Sequence, residues 1–479
     1  MRKAFIVSLI ALLVFSFGCT GRKDTNKLCT FAGDKNGMTM SWDVSGAKEK
    51  PSIVWEYNEK SVYSPWYYTF GNLNVCGDAI YTGGDRLTAI NLKTGREIWE
   101  TQIKNSSPNE NAITYVLCPT IYKDKIVSLG ARLVNEKGSD YNFERRNILV
   151  FDKNTGKLLW KSCDIGSKTD YFEGGFPVIL NNKIYVPALN GEYRASEPGF
   201  GFGVSVAKEE RGIYVWDLNT GKLINKIVLK FAEGYLYPEF SLVSTDGRYI
   251  YISAGVLPTV GKVLHPTYIV AYDPERNKVV WETQISDTLL SSEYYTFGVS
   301  NNAIIRFCDI EPTKSHGPKE VIKAIDKKTG KMLWSKDISV SDICVAINED
   351  KVVFQIAENL MGCFDAETGK EIWRYKYSPS PSEDGQIAKH MFFSPVFAKD
   401  TLYLLEEHII LAVDPKTGKE LWRIFIPNPK NLNDKETEVI TGGRFIPVNN
   451  GFVTMNVVSW SSSDSMVHPP FLRLWLNRK

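Results

Sequence analysis

One nine-residue segment recurs through this chain, and it limits the possible folds more than any other feature. Seven copies align: "NLKTGREIW" (91–99), "DKNTGKLLW" (152–160), "DLNTGKLIN" (217–225), "DPERNKVVW" (273–281), "DKKTGKMLW" (326–334), "DAETGKEIW" (365–373) and "DPKTGKELW" (414–422). The fifth position is glycine in every copy but one, where Asn277 stands. Glycine and asparagine are the residues most tolerant of positive φ, so each copy reads as a tight hairpin turn in constant register.

Upstream of each turn lie β-branched or alternating runs such as "KVVFQIAENLMGCF" and "LYLLEEHIILAV", preceded by one more short strand candidate such as "GFPVILNN". Each unit therefore reads as four short strands, and no amphipathic helical period appears. The closing residues of successive copies stand 39 to 65 residues apart. Four-stranded sheets at such a period predict a β-propeller. The stretch "SIVWEYN" (52–58) looks like an outer strand without a blade, and the C-terminal "GFVTMNVVSW" and "PFLRLWLN" look like a blade without its outer strand. Joining them predicts an all-β, eight-bladed propeller of antiparallel four-stranded blades, closed where the strand near Trp55 meets the C-terminal blade. Closure removes free sheet edges. The domain plan is a leader over 1–18, a flexible tether over 19–51 and one propeller over 52–479.

The D-x-x-T-G-K-x-x-W repeat resembles that of the pyrroloquinoline-quinone-like (PQQ-like) propeller superfamily, which includes quinoprotein dehydrogenases and BamB-type outer-membrane assembly lipoproteins. The resemblance covers essentially the whole chain after the tether. It implies that Trp55, Trp99, Trp160, Trp281, Trp334, Trp373 and Trp422 dock on the neighbouring blade as structural residues. Asn225 breaks the pattern and marks the third blade as the loosest joint.

Arg2 and Lys3 precede an apolar run from Ala4 to Phe17, an export signal too short for an ordinary membrane span. It ends at "SFGC", which resembles the lipobox of bacterial lipoproteins, with Ser16 departing from the usual leucine. The resemblance implies lipidation at Cys19, and the Ser16 departure leaves plain secretion as the alternative; the expected location is the bacterial envelope, lipid-anchored at the outer membrane and facing periplasm or surface. Eight cysteines occur, none in a C-x-x-C pair. Their apolar settings favour buried reduced thiols, although an exported protein can oxidise a pair. Charge is balanced, with 57 Lys+Arg against 55 Asp+Glu, and nothing draws the chain to nucleic acid.

Alternating strand direction puts the first-to-second and third-to-fourth turns on one face, where they are short. The second-to-third and blade-to-blade connections fall on the other face, where they are long, and long loops on a rigid scaffold are where binding is placed. That face is expected to carry Trp66, Tyr67, Tyr68, Tyr171, Phe172, Tyr235, Tyr237, Tyr294 and Tyr295 as a ligand platform or partner surface. The alternative is that these rings fill the gap between inner strands. Glu173, Glu239 and Glu293 stand beside them. The five histidines lack metal spacing, and "SVAK" with the repeated "KTG" is a chance likeness to a serine β-lactamase set inside an all-β chain.

The expected function is therefore non-catalytic: a lipid-anchored propeller binding an envelope protein or ligand, with no cofactor and no metal. The alternatives are a glycan-binding envelope lipoprotein and a PQQ-dependent dehydrogenase with PQQ and calcium. Against the dehydrogenase stands the absence of any adjacent Cys-Cys or C-x-x-C-H sequence.

Overall fold

The computed structural model describes residues 28–29, 41–58, 73–103, 114–135, 142–162, 177–194, 205–232, 234–236, 242–258, 266–287, 297–310, 319–338, 345–357, 360–376, 394–406, 409–426, 437–440, 445–460 and 471–477. They form eight antiparallel sheets and, among the described residues, no helix. Each sheet is one blade of an eight-bladed β-propeller. The first blade runs Leu73–Cys76, Ala79–Thr82, Arg86–Asn91 and Glu97–Gln102, and the next six follow the same order. In the eighth, Phe445–Val448, Gly451–Trp460 and Phe471–Leu476 are completed by Ser52–Asn58, which pairs antiparallel with Phe471–Leu476 from Ser52↔Leu476 to Asn58↔Phe471.

Burial explains why these runs become strands. Third strands are covered on both faces, so Thr267–Asp273 and Ile409–Val413 are buried throughout. Outer strands alternate, as Met332–Ile338 does, because one side faces solvent. A single apolar cluster crosses the closing seam, joining Tyr403 and Trp422 of the seventh blade, Phe445, Phe452 and Trp475 of the eighth, and Leu73, Ile80 and Ile90 of the first. Phe452 stacks against both Trp422 (6.1 Å) and Trp475 (5.7 Å). Arg473, 1% exposed, reaches Glu56 at 3.5 Å and lies over the Phe471 ring, adding a polar tie between the first and last strands of that sheet.

The repeated turn does two jobs. Its first residue is a local clamp: the Asp326 carboxylate accepts hydrogen bonds from the Lys328 and Thr329 amides and the Thr329 hydroxyl. Its glycine makes room for a ring. At Gly95, Gly156, Gly221, Gly330, Gly369 and Gly418 an added Cβ would lie 2.4–2.7 Å from an indole of the preceding blade. Those indoles belong to Trp55, Trp99, Trp160, Trp281, Trp334 and Trp373, and each donates its Nε1–H to the carbonyl of the turn's second residue: Leu92 (3.0 Å), Lys153 (3.2 Å), Leu218 (3.0 Å), Lys327 (3.2 Å), Ala366 (3.0 Å) and Pro415 (3.1 Å). Positive φ is thus only half the reason for glycine. The other half is a tryptophan some fifty residues upstream.

The seventh joint is built differently. Trp422 donates to Ala47 at 2.8 Å, because the eighth blade's outer turn is replaced by residues 41–51. That segment lies inside the stretch expected as tether, yet it is packed: Trp42 N–H donates to Phe397 O, Lys399 N–H to Val44 O, Gly46 N–H to Asp400 Oδ1 and Ala47 N–H to the Tyr403 hydroxyl. Ordered structure therefore begins upstream of position 52. "SWDVSGAKEK" shows no strand alternation, so its order comes from docking alone.

Thiol chemistry follows the expectation of buried reduced cysteines at one position and departs from it at another. Cys363 is free and buried, and burial pushes its pKa up to about 12. Cys76, however, is disulfide-bonded. It ends an inner strand beside the Gly77 turn and is only half-buried.

Acid should loosen the turns in a defined way. The Thr329 hydroxyl and the turn amides hold Asp326 below the usual carboxylate range, and at Asp414 the Lys416 amide leads the same effect. At Asp365 burial pulls upward, but the Thr368 amide and hydroxyl outweigh it. A depressed folded pKa gives stability that is complete above the unfolded value of about 3.9 and is lost as pH falls through the folded value. Asn91 shows that an amide can serve as the clamp, accepting from Lys93 and Thr94 N–H. The triple change Asp326→Asn, Asp365→Asn and Asp414→Asn is therefore expected to leave the fold intact at neutral pH and to flatten the fall in stability between about pH 5 and pH 3. Denaturant unfolding followed by circular dichroism across that range measures it; an unchanged slope would remove the clamps from the account.

Candidate binding face

The two ends of the propeller differ in construction. The connections between strands at the motif-turn end are tight turns, joined there by the docked N-terminal residues 41–51 and by Leu28–Cys29, which pairs with Ile121 and Tyr122 of the second blade. All but one of the described positive-φ residues lie at this end, including Gly95, Gly156, Asn277, Gly330 and Gly418. The opposite end carries the second-to-third hairpins, and these are unequal. In the sixth and seventh blades the paired strands are five to seven residues long, as in Lys351–Ala357 with Leu360–Asp365. In the second blade Lys125–Asn135 pairs with Asn142–Asp152, and in the third Lys183–Arg194 pairs with Ser205–Asp217, at 11 to 13 residues each. These pairs carry the ladder past the body of the sheet, with a register shift between Asn190 and Glu192.

Two blades gain an extra strand at the same end. Gly234–Leu236 pairs with the tip of Ile250–Pro258, and Thr437–Ile440 pairs with the tip of Gly451–Trp460. These are the fourth and eighth blades, opposite each other in an eight-fold ring. Tyr235 sits on the first of these strands, opposite Leu257. Trp66, Tyr67, Tyr68, Tyr171, Phe172, Tyr237, Tyr294 and Tyr295 lie outside the described residues, as do Glu173, Glu239 and Glu293. In sequence, the aromatic stretches run just ahead of the innermost strands Leu73–Cys76, Val178–Leu180, Leu242–Thr245 and Phe297–Val299.

The described part of this end has a polar rim that sequence inspection missed. Gly84 and Val116 exchange backbone hydrogen bonds of 3.0 and 2.7 Å, tying the first blade to the second. Beside that tie, the Asp85 carboxylate, 5% exposed, accepts from Arg86 Nε and Nη2 at 3.2 Å each, and Arg86 reaches Glu100 at 3.0 Å. The hydrogen bond that Arg86 donates to Asp85 leads in raising the Arg86 pKa. Tyr115 is half-buried nearby, with its pKa raised by burial and then by the Asp85 charge. "GGDR" contains no motif, and the pairing of Asp85 with its own neighbour becomes visible only once the hairpin folds. Among the described residues, no three His, Cys, Asp or Glu side chains are grouped to hold a metal ion.

The strand pairings define an eight-bladed β-propeller. Residues 318–459, from the third strand of the fifth blade into the eighth, match the family model described as outer membrane protein assembly factor BamB. Among curated proteins the chain is similar to the tetrathionate hydrolase of Acidithiobacillus ferrooxidans, 29% identical over 191 residues. That match takes in 38% of this chain and spans only 33% of that protein's length. Among solved structures it is similar to the computationally designed Ika8 protein (13% identity, 88% of this chain and 100% of that one, TM-score 0.48). It is also similar to BamB from Moraxella catarrhalis (14%, 75% and 89%, TM-score 0.40) and to quinohemoprotein alcohol dehydrogenase from Comamonas testosteroni (12%, 92% and 80%, TM-score 0.49).

Proposed function

We propose that this chain is an exported, lipid-anchored propeller of the bacterial envelope that acts without catalysis, binding a protein or ligand at its loop-bearing end. The observation that carries the reading is the asymmetry of the connections: tight hairpin turns at one end, and second-to-third hairpins extended to 11 to 13 residues a strand at the other, where Gly234–Leu236 and Thr437–Ile440 also pair. A rigid closed scaffold that spends its irregular chain on one end is built to present a surface. The BamB-type match over 318–459 supports an envelope role, and the disulfide at Cys76 suits an oxidising compartment. The Cys19 anchor belongs to the same reading.

The test is site-specific photocrosslinking in the native envelope, with the reactive residue placed at Tyr235 in one strain and at Thr94, in a motif turn, in another. Partner adducts are expected from the Tyr235 position, and fewer when Tyr67, Tyr68, Tyr294 and Tyr295 are changed to alanine together. Equal adducts from Thr94 would mean that the loop-bearing end is not the working surface.

A further inference from the structure

The third joint lacks its tryptophan, and the structure shows what that leaves behind. In three blades the fourth-strand tryptophan shares a cross-strand row with a tyrosine: Tyr81–Ala89–Trp99, Tyr251–Ala271–Trp281 and Tyr403–Ala412–Trp422. The tyrosine flanks the indole in each, with ring centroids 6.1, 6.4 and 6.0 Å apart. The third blade keeps the row as Tyr185–Val215–Asn225. Its tyrosine is in place, and its indole is not.

In the indole's stead is a cavity of about 310 Å³, lined by Tyr185, Val215, Asn225, Tyr272, Pro274 and Asn277 among others. Tyr185 is 2% exposed, and among the described residues its hydroxyl has no hydrogen-bond partner. Burial, and secondarily the neighbouring Tyr272, pushes its pKa up to about 12, so the hydroxyl is neutral and able to donate or accept. Pro274 is the second residue of the fourth blade's turn. Its carbonyl therefore holds the position that, in Pro415, receives an indole N–H at 3.1 Å. Asn277 takes the glycine position, and its Oδ1 accepts from Asn225 Nδ2 at 3.2 Å and from the Tyr272 hydroxyl. The two departures from the repeat are thus one event: without the indole, a side chain fits where only glycine fits elsewhere.

We propose that this joint is a binding slot for a small planar aromatic molecule carrying an N–H or O–H donor, of the size of indole. Tyr185, Tyr272 and Val215 form its walls, and the Tyr185 hydroxyl and the Pro274 carbonyl are its polar anchors. The exposed Asn277 side chain takes up space that glycine leaves to the indole at other joints, so the guest ring is displaced from the place of a docked tryptophan. The volume suits such a guest, since small-ligand pockets begin near 300 Å³, and Lys183 with the two asparagines makes the rim polar. The slot lies at the motif-turn end of the blade, apart from the loop-bearing end, and it does not depend on the function proposed above.

The test uses the full chain and indole itself, by saturation-transfer NMR and titration calorimetry. Wild type is expected to bind with a Kd of about 0.1–1 mM, as befits so small a ligand. 1-Methylindole, which keeps the shape but loses the donor, should bind several-fold more weakly. The double change Asn225→Trp with Asn277→Gly rebuilds the common joint; it should raise the thermal midpoint and weaken indole binding at least about tenfold, a difference of about 1.4 kcal/mol. Asn225→Tyr, which plugs the slot while leaving Asn277 in place, should weaken it likewise should the double variant fold poorly. No binding to wild type, or equal binding to a folded plugged variant, overturns the proposal.

Discussion

A chain lacking everything through Asn58 is expected not to yield a monomeric propeller. The loss removes the whole Ser52–Asn58 strand and with it the ladder to Phe471–Leu476, the Trp55 indole beneath Gly95, its hydrogen bond to Leu92 and the Glu56–Arg473 tie. Residues 41–51, which give the seventh blade its dock, go too. Native stability is only about 5–15 kcal/mol, and a bare Phe471–Leu476 edge invites pairing with another molecule. Size-exclusion chromatography with light scattering should therefore show aggregate or higher oligomer, while removal of residues 1–18 alone should leave a monomer. A monomer with native near-ultraviolet circular dichroism after the longer deletion would mean that the ring does not need its N-terminal strand.

The second large effect is expected at Trp422. Its side chain is 7% exposed, packs on Tyr403 and Phe452, and is the docking ring whose partner carbonyl comes from the N-terminal segment. Trp422→Ala should cost about 3–5 kcal/mol, the range for truncating a buried large aromatic. Trp99 makes the same kind of bond but is half-buried on an outer strand, so Trp99→Ala should cost about 1–2 kcal/mol, closer to a partial transfer of surface. Guanidinium unfolding of both variants under one condition measures the difference. Equal costs would mean that the seventh joint is no more tightly held than the joint made by Trp99. Truncating Trp373, also 7% exposed, is expected to cost as much as truncating Trp422.

These two cases show what the sequence could and could not tell. Blade number, strand order and ring closure were legible, because the Asp clamp, the left-handed turn and the terminal Trp recur in fixed register, and Trp55 stood out as a lone outer strand. Partner relations were not. Asn225 and Asn277 each read as a separate lapse, since only the folded ring puts the tryptophan position of one copy under the glycine position of the next. Residues 41–51 were hidden because docked chain without alternation leaves no period to detect, and Cys76 because its composition gave no sign of a nearby thiol. Of the aromatic candidates, sequence adjacency sets most of them just ahead of inner strands. Whether the rings converge is a matter of loop geometry, which no repeat encodes.

The shared eighth sheet also orders events in time. Its closing pairs join residues 413 positions apart at Asn58 with Phe471 (471−58) and 424 apart at Ser52 with Leu476 (476−52), and Gly46 reaches Asp400 of the seventh blade across 354 positions. The part of the domain that leaves the ribosome first must therefore wait for the part that leaves last, and until then several finished sheets stand beside one raw margin. Such long-range pairing is slow and exposed to misassociation. Whatever cellular factor escorts this protein before it closes is thus expected to act on the nascent margin of the unfinished circle.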